Sequence, residues 1–361
     1  MSRINSTRWR VFVTRPIADA PLKRLAGVAR VDLREDEMPP APGELRSRLR
    51  AADGVLSMLT DRLDADTIAI APRLRVISNL AVGVDNIDLD AATRAGIAVG
   101  HTPNILTETT ADLAFALLMA SARRVVEGDR YVRAKRWRTW GPQTMLGHDV
   151  FGATLGIIGW GAIGQALARR AAGFNMTVLY TAHRSRARTA RRSPVSAARD
   201  TPGGPPSGAR RVSLSRLLAE SDFVSLHVPL TRETHHLLGA REFARMKRSA
   251  VLVNTARGPV IDQAALATAL RTGRIAGAAL DVTDPEPIAP GDPLLGLDNV
   301  VITPHIGSAS YATREMMGQV AVDNILAVFA GRIPPFCANP AVRLRPTRPG
   351  ATEQPTRQRS L

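Results

Sequence analysis

The chain has 361 residues, of which 45% are hydrophobic, so it can bury two domain cores, which excludes a wholly disordered protein. Its formal net charge is +16, and most of the excess lies in two stretches with few large apolar residues: eight arginines against one acid between His183 and Arg211, and five against one between Arg343 and Leu361. Solvated coil of this composition does not form a shaped nucleic-acid surface, so we predict no specific nucleic-acid partner.

The single cysteine, Cys337, excludes an intramolecular disulfide, and no Cys/His cluster has the spacing of a zinc site. We therefore predict no metal site. The N-terminus lacks the hydrophobic region of a signal peptide, and the most apolar helical stretch, 113–122, is about half the length needed to cross a bilayer. These features predict a cytoplasmic protein without a membrane span.

Short apolar segments alternate with helical segments in the first part of the chain. We predict strands at 11–14, 54–59, 75–80 and 97–100, and helices at 21–26, 42–52 and 91–95. This alternation is typical of a parallel sheet with helices on both faces. One long helix over 108–134 follows and is expected to open a second unit.

The second unit is predicted to contain six strands, at 154–158, 177–180, 223–227, 250–254, 278–282 and 300–303. Six strands are enough for one doubly wound sheet. The last predicted helix, 311–330, ends at Gly331 with Pro334 and Pro335 beyond it, which is a helix-stop signal. Because the first unit lacks a complete second half, we expect this helix to return to it.

A glycine turn, Gly159-Trp160-Gly161-Ala162-Ile163-Gly164, follows the strand predicted at 154–158 and opens a helical stretch. In this context the spacing GxGxxG is typical of dinucleotide binding: one glycine permits the tight turn, one lets the backbone approach the pyrophosphate, and one allows close packing of the helix. The helix N-terminus adds N–H groups and a partial positive charge for the phosphates. A tight turn without a ligand is the alternative interpretation.

The acid that usually follows the second strand of such a unit, where it binds the ribose hydroxyls, is missing, because no Asp or Glu occurs between Gly164 and Asp200. The residues at that place are Ala182, His183 and Arg184, which suit a 2′-phosphate that a carboxylate would repel. We therefore predict NADPH as the preferred cofactor and NADH as the weaker alternative. The alternative interpretation is that these basic residues bind no ligand and only begin a solvated loop.

Three polar segments each follow a predicted strand: Asn254-Thr255-Ala256-Arg257-Gly258, Asp284-Pro285-Glu286-Pro287 and Thr303-Pro304-His305-Ile306-Gly307-Ser308. The carboxyl ends of parallel strands form the ligand crevice of an open α/β sheet, so Arg257, Glu286 and His305 can converge. Ketone reduction by hydride needs a proton donor, a cation for the substrate carboxylate and a group that keeps the donor protonated. Histidine, arginine and glutamate meet these needs, although a single histidine in this setting is more often structural.

Six segments together resemble motifs of the D-isomer-specific 2-hydroxyacid dehydrogenase family, in the family's order. They are 79–88 (NLAVGVDNID), 159–164 (GWGAIG), 226–231 (LHVPLT), 254–258 (NTARG), 279–282 (ALDV) and 304–309 (PHIGSA). The resemblance covers about 11–342. It implies an α/β protein with two doubly wound parallel-sheet domains, the second a Rossmann dinucleotide-binding domain, that reduces small 2-oxo acids with NAD(P)H.

The resemblance also implies roles for individual residues. Arg257 grips the substrate, Glu286 keeps His305 protonated, and His305 protonates the nascent alkoxide. The backbone of Val82 and Gly83 lies at the substrate carboxylate, for which a simple structural turn is the alternative. Besides the glycine turn and Ala182, His183 and Arg184, the residues implied to lie near the cofactor are Thr110, His227, Pro229, Thr255, Ala256, Asp281 and Gly307, although Asp281 could equally cap a helix or turn.

Within the family, the segment 136–141 (RWRTWG) resembles the glyoxylate and hydroxypyruvate reductase branch. In that branch Trp140 would reach into the pocket of a partner subunit, which implies a homodimer, whereas composition alone assigns a tryptophan to a core or an interface. The predicted domains are 1–103 with 305–342, a flavodoxin-like substrate-binding domain, and 104–304, the Rossmann domain. The basic stretch 183–211 is expected to be a flexible insertion, and 343–361 a disordered tail.

Two alternatives to the leading prediction, NADPH-dependent reduction of glyoxylate or hydroxypyruvate, stay open at this point. The first is a 3-phosphoglycerate dehydrogenase or another D-2-hydroxyacid dehydrogenase; the tail after Ala341 is too short for the regulatory domain that often accompanies 3-phosphoglycerate dehydrogenase activity, although short forms exist. A dinucleotide-sensing interaction protein, similar to the transcriptional corepressors that share this fold, would bind the cofactor without turnover. Turnover of a small 2-oxo acid distinguishes the enzymes from the sensor.

Overall fold

The computed structural model describes residues 9–182 and 208–346 of the chain. These residues form two compact units, the first containing 9–105 and 310–346 and the second containing 106–182 and 208–309. The segment 305–309, which the sequence assigned to the first domain, belongs to the second unit. The reason is local, because the N–H groups of Ile306 and Gly307 donate to the carboxylate of Asp281 in that unit.

The first unit contains one parallel sheet. Its strands are β1 (Trp9–Val13), β2 (Ala29–Leu33), β3 (Gly54–Ser57), β4 (Val76–Asn79) and β5 (Ala98–Gly100), and its helices are α1 (Asp19–Val28), α2 (Pro42–Leu49), α3 (Ala65–Ala69), α4 (Leu89–Arg94) and the C-terminal α11 (Tyr311–Phe329). The strand order is β2-β1-β3-β4-β5, the flavodoxin-like arrangement. The sequence prediction lacked β2 and α3. In strand β2 the buried Ala29 and the half-buried Val31 and Leu33 alternate with exposed charged residues, so no apolar run marks the strand.

Helix α11 is held against the first sheet by hydrogen bonds, one of which it accepts and one of which it donates. The Ser78 hydroxyl of β4 donates to the Ala321 carbonyl over 2.9 Å, and the Asn324 amide donates to the His101 carbonyl over 3.0 Å. A Cβ atom on Gly100 would lie 2.6 Å from the Cβ of Asn324, so a glycine at the end of β5 admits the Asn324 side chain. The helix therefore contacts the strand ends directly.

Residues 343–346 pack on the first unit, although the sequence assigned them to a disordered tail. The guanidinium of Arg345 donates to the carbonyls of Ala95 and Pro72, each over 2.6 Å. Any residue type can supply a backbone carbonyl as an acceptor. The composition of 343–361 therefore could not predict this contact.

The second unit contains a seven-stranded parallel sheet. Its strands are β6 (Thr154–Ile158), β7 (Thr177–Thr181), β8 (Arg210–Arg211), β9 (Phe223–Leu226), β10 (Val251–Asn254), β11 (Gly277–Leu280) and β12 (Val300–Ile302), and its helices are α5 (Thr107–Ala122), α6 (Val125–Arg133), α7 (Ala162–Ala172), α8 (Leu214–Glu220), α9 (Ala240–Phe243) and α10 (Gln263–Arg271). The strand order is β12-β11-β10-β9-β6-β7-β8, so the direction of winding reverses between β6 and β9. Ligands of Rossmann sheets bind at the carboxyl ends of the strands beside this reversal. The predicted fold class is confirmed.

Two details of the second unit differ from the prediction. Strand β8 is a seventh strand, and it pairs with β7 through Arg210 and Arg211, so the end of the predicted flexible stretch 183–211 is ordered. The helix predicted over 108–134 is two helices, because Arg124 has a left-handed backbone with φ +52° and its guanidinium is held by Glu127. A two-residue strand and a left-handed arginine give no pattern that the sequence could show.

Within the described ranges, no helix has both the length and the apolar character that a membrane crossing requires. The same ranges contain no group of three or more His, Cys, Asp or Glu side chains that could hold a metal ion.

Candidate active site

The glycine turn, Gly159 to Gly164, connects β6 to α7 beside the reversal of the strand order. Gly159 has φ +105°, and a Cβ atom there would lie 2.5 Å from the carbonyl oxygen of His227. A Cβ on Gly164 would overlap the Gly159 carbonyl oxygen, whereas one on Gly161 would meet nothing within 4 Å. Two glycines therefore permit the tight turn, and the third leaves open space at the helix N-terminus, where a pyrophosphate fits.

The side chain of Trp160 fixes the turn from the other side. Its ring stacks on Tyr180 of β7, with ring centroids 3.9 Å apart, and its carbonyl accepts a hydrogen bond from the Gln165 side chain over 3.2 Å. Ala162 and Ile163 form the first turn of α7, and no side chain caps this helix. Its first N–H groups are therefore available to an anionic ligand.

The end of β7 is the place where the sequence lacked the usual acid. The carbonyl of Thr181 accepts from the N–H of Gly159 over 3.1 Å, and the carbonyl of Ala182 accepts from the guanidinium of Arg211 over 2.7 Å. Arg211 was not among the predicted site residues, because it lies in the two-residue strand β8. His183 and Arg184 lie outside the described residues.

His227 follows β9 and faces the same strand ends. Its N–H donates to the carbonyl of Ile158, and its Nε2 lies 2.8 Å from the hydroxyl of Ser225. Burial lowers the pKa of His227 to about 4, so the ring is neutral near pH 7. Pro229 is exposed, and its carbonyl accepts from the hydroxyl of Thr234 over 2.6 Å.

The Asn254 side chain shapes the turn after β10. Its Oδ1 accepts from the N–H of Ala256, and its Nδ2 donates to the carbonyl of Arg257, each over 2.9 Å. The hydroxyl of Thr255 is buried and has no hydrogen-bond partner among the described residues. An orphaned buried hydroxyl fits a site that a bound ligand completes.

Gly258 brings the turn that carries Arg257 against the loop that carries Glu286. A Cβ atom on Gly258 would overlap the carbonyl oxygen of Thr283, so only glycine permits this approach. Gln263 holds the same loop from α10, because its side-chain carbonyl accepts a backbone N–H of the loop over 2.8 Å. Two of the three predicted catalytic residues therefore lie on adjoining loops.

Asp281 organises the loop that carries His305. Its Oδ1 accepts from the Thr303 hydroxyl over 2.6 Å and from the Ile306 N–H over 2.8 Å, and its Oδ2 accepts from the Gly307 N–H over 2.7 Å. The backbone carbonyl of Asp281 also accepts from the N–H of His305 over 3.0 Å. The carboxylate is thus a turn cap, which was one of its two interpretations, and its place near the cofactor stays a prediction.

Thr110 and Gly307, both predicted to lie near the cofactor, are in contact. The buried hydroxyl of Thr110, in the first part of α5, donates to the Gly307 carbonyl over 3.0 Å. The His305 loop is therefore tied to α5 as well as to β11.

His305 and Glu286 form the central pair of the site. Nδ1 of His305 lies 2.5 Å from Oε1 of Glu286, and the two side chains are 22% and 30% exposed, so solvent and small ligands can reach both. His305 has a left-handed backbone, with φ +54°. Because Nδ1 faces the carboxylate, Nε2 is the ring nitrogen left for a ligand, and no group in 9–182 or 208–346 bonds it. The pair can hold a proton on the ring and deliver it from Nε2.

Val82 and Gly83 lie in the first unit, in the loop after β4. Three successive carbonyls of this loop accept hydrogen bonds: Ala81 from the Thr102 N–H (2.8 Å), Val82 from His101 Nδ1 (2.8 Å) and Gly83 from Asn79 Nδ2 (3.0 Å). His101 and Asn79 were not among the predicted site residues. Both stand at the carboxyl end of a strand, so the rule that drew attention to Arg257 and His305 could have found them.

Trp140 lies in the segment after α6 and is 79% exposed. Three more large apolar side chains of the neighbouring sequence are also exposed, namely Trp137, Leu146 and Phe151. Exposed apolar side chains at this density are typical of a protein interface.

Comparison with known proteins decides the family. Residues 115–307 match the model of the NAD binding domain of D-isomer specific 2-hydroxyacid dehydrogenases. The chain belongs to this family. The predicted resemblance is confirmed, and the protein is an NAD(P)-dependent 2-hydroxyacid dehydrogenase that acts on small 2-oxo acids.

Similar members of the family match nearly the whole chain. A glyoxylate reductase of Korarchaeum cryptofilum is 50% identical over 339 residues, which are 93% of this chain and 98% of the relative. A solved structure from Thermus thermophilus is 48% identical, with a TM-score of 0.82, 91% of this chain covered and 99% of that one. The NADPH-dependent glyoxylate/hydroxypyruvate reductase of Sinorhizobium meliloti, solved with NADP and malonate, is 29% identical, with a TM-score of 0.77 and coverage of 94% and 99%.

Proposed function

We propose that this dehydrogenase reduces glyoxylate, and the related acid hydroxypyruvate, with NADPH and with His305 as the proton donor. The observation that carries the proposal is the 2.5 Å contact between His305 Nδ1 and Glu286 Oε1. The name of the Korarchaeum relative, a glyoxylate reductase, supports the substrate. The activity of the Sinorhizobium enzyme supports hydroxypyruvate as a second substrate.

The chemistry requires a proton at the carbonyl oxygen. Bound NADPH supplies the hydride that reduces the carbonyl carbon. As negative charge develops on the oxygen, Nε2–H of His305 donates a proton to it and yields the 2-hydroxy acid. Glu286 accepts the hydrogen of Nδ1 and so fixes the orientation of the ring. His305 then regains a proton from solvent, which its 22% exposed side chain permits.

Arg257 binds the substrate carboxylate in this proposal. A planar guanidinium can pair with a carboxylate through two parallel hydrogen bonds, which gives direction as well as charge. One nitrogen of Arg257 also donates to the carbonyl of Ala256 over 2.8 Å, which steadies the side chain.

Val82 and Gly83 bind the same chemical group through their backbone. Among the described residues, the N–H groups of Val82 and Gly83 have no acceptor. Successive free N–H groups in a turn are a common anion site.

The glycine turn, Thr255 and the neutral His227 are proposed to bind the cofactor, together with the other residues assigned to it: Thr110, Ala182, Pro229, Ala256, Asp281 and Gly307. The preference for NADPH over NADH rests on the end of β7, where Ala182 replaces the usual acid and Arg211 adds a cation. His183 and Arg184 belong to the same proposal, from the sequence.

Trp140 is proposed to enter the substrate pocket of a second copy, so that the enzyme is a homodimer. Its 79% exposure, beside three other exposed apolar side chains, supports an interface here. Sedimentation analysis should give twice the mass of the chain, and a monomer that retains full activity would contradict the proposal. The free Cys337, the one cysteine of the sequence, supports the cytoplasm as its location.

The test is a panel of 2-oxo acids with NADPH and with NADH. We expect the highest kcat/KM with glyoxylate or hydroxypyruvate and NADPH. Higher kcat/KM with 3-phosphohydroxypyruvate would favour the phosphoglycerate dehydrogenase alternative. Cofactor binding without turnover of any acid would favour the dinucleotide sensor.

A further inference from the structure

We infer that His101 is a positioning residue, whose Nδ1 orients the Gly83 N–H group toward the carboxylate of the substrate. The inference rests on the proposed function, because it presupposes that Val82 and Gly83 bind that carboxylate. It adds a residue that the motifs of the family did not single out in this sequence.

The geometry of the peptide bond links His101 to that N–H group. The carbonyl of Val82 and the N–H of Gly83 belong to one peptide unit, which is trans, so the two groups point in opposite directions. The hydrogen bond of 2.8 Å from His101 Nδ1 fixes the direction of the carbonyl. It therefore also fixes the direction of the Gly83 N–H, which has no acceptor in the described part of the chain.

The neighbouring peptides are held in the same way. The Ala81 carbonyl accepts from the Thr102 N–H over 2.8 Å, and the Gly83 carbonyl accepts from Asn79 Nδ2 over 3.0 Å. Three tethered carbonyls in succession orient the three N–H groups that follow them. Such a row of free N–H groups suits a carboxylate oxygen.

His101 can perform this task because it is itself held firmly. Its N–H donates to the Phe336 carbonyl over 3.1 Å, and its carbonyl accepts from Asn324 over 3.0 Å. A carbonyl acceptor requires that Nδ1 carry the hydrogen, which fixes the tautomer of the neutral ring. Burial lowers the pKa of His101, so the ring is neutral near pH 7.

Two variants of similar shape isolate the hydrogen bond. Nδ1 is bonded to Cγ in histidine, as Nδ2 is in asparagine and Cδ1 in leucine, so His101→Asn keeps a donor near this place and His101→Leu removes it. We expect His101→Leu to raise the KM for glyoxylate and the inhibition constant for oxalate about tenfold, the effect of one lost hydrogen bond. The kcat should change less than KM, because His101 does not touch the reacting atoms. His101→Asn should stay close to the parent.

A matched control is Thr93→Val, which removes two other side-chain hydrogen bonds of the first unit, the one from Asn339 and the one to the Leu89 carbonyl. It should leave both constants unchanged. NADPH affinity and thermal unfolding, measured for every variant, show whether a variant is folded. If His101→Leu does not fold, His101→Phe, which keeps the size of the ring, takes its place.

The inference is overturned if the donor-free variant binds oxalate and glyoxylate like the parent, or if His101→Asn loses as much as His101→Leu. Failure of the proposed function has a different signature, because the parent itself would then reduce no 2-oxo acid. Calorimetric binding of oxalate to the parent and to His101→Leu tests the inference in that case too, and equal affinities would contradict it.

Discussion

Gly258 and Thr283 approach so closely that a Cβ atom on residue 258 would overlap the Thr283 carbonyl oxygen. The contact joins the turn of Arg257 to the loop of Glu286 through backbone atoms alone. Backbone atoms cannot move aside as the end of a flexible side chain can, so any side chain at 258 must separate the two loops.

We therefore expect Gly258→Ala to lower both stability and activity. The free energy of unfolding should fall by about 1–3 kcal/mol, as for other overpacked sites. A displacement of the Arg257 turn by ~1 Å should reduce kcat/KM about 10²-fold. Urea unfolding and steady-state kinetics measure the two effects. Gly291→Ala is the matched control, because a Cβ there meets nothing within 4 Å, and equal behaviour of the two variants would refute the explanation.

Replacement of the proton donor should separate chemistry from binding. We expect His305→Gln to lose about 10²- to 10⁴-fold in kcat, the usual contribution of a general acid, while its NADPH dissociation constant stays near that of the parent. His236→Gln is the control, since His236 is an exposed histidine with the same left-handed backbone, φ +50° against +54° for His305. A kcat for His305→Gln within threefold of the control would remove His305 from the mechanism.

The role of Glu286 appears in the turnover number. Its Oε1 lies 2.5 Å from His305 Nδ1 and fixes the orientation of the ring. Glu286→Gln keeps an acceptor oxygen but removes the charge, and charge-assisted hydrogen bonds are roughly twice as strong as neutral ones. We therefore expect Glu286→Gln to lower kcat about tenfold, while its NADPH dissociation constant stays near that of the parent. Glu233→Gln, a change to an exposed acid outside the proposed site, should keep the kcat of the parent. An unchanged kcat in Glu286→Gln would contradict the pairing.

Cofactor preference depends on the end of β7. We expect the parent to have a higher kcat/KM with NADPH than with NADH, by about ten- to a hundredfold if one charge-assisted hydrogen bond to the 2′-phosphate distinguishes them. Ala182→Asp should reverse the preference, and Arg211→Ala or Arg184→Ala should reduce it. Arg232→Ala, at an exposed arginine after Thr231, is the control for a general loss of charge. Equal use of both cofactors by the parent would rule the preference out.

His227 should make stability depend on pH in a defined window. Its pKa is lowered to about 4 in the folded protein by burial, against 6.5 ordinarily, so below 6.5 the unfolded chain binds a proton that the folded one does not. The contribution of His227 is therefore complete above pH 6.5 and is lost as the pH falls toward 4. Urea unfolding at pH 7.5 and 4.5 should show a larger loss for the parent than for His227→Asn. Identical losses would mean that the ring titrates alike in both states.

Most of the second unit could be predicted because local sequence patterns indicate its strands, helices and loops. The glycine turn stands between an apolar strand and a helix, and the loops of Arg257, Glu286 and His305 each follow a strand, so parallel-sheet geometry brings them to one edge. The contact of His305 with Glu286 follows from that rule. The hydrogen bonds that hold these loops could not be predicted. The side chains of Asp281 and Asn254 bond backbone groups, and the positions of those groups are known only from the fold.

The features that sequence reasoning missed share a physical origin. Strand β8 has two residues, too few for any alternation, and Arg124 takes a left-handed conformation that its residue type does not favour. His101 follows β5, where the strand-end rule could have found it, although a lone histidine carries no motif. Its hydrogen bond to the Val82 carbonyl is a tertiary contact between two loops, which the sequence does not show.

The membership of the site residues in the two units has an evolutionary consequence. The glycine turn, Arg257, Glu286 and His305 all belong to the second unit, whereas the loop at Val82 and Gly83 belongs to the first. On the proposed assignment, substitutions in the loop of Val82 and Gly83 leave the contacts of Arg257, Glu286 and His305 unchanged, because those contacts lie within the second unit. A directed-evolution library confined to 79–86 and 100–102 should accordingly yield altered selectivity at a higher frequency of active clones than one of equal size around 254–258.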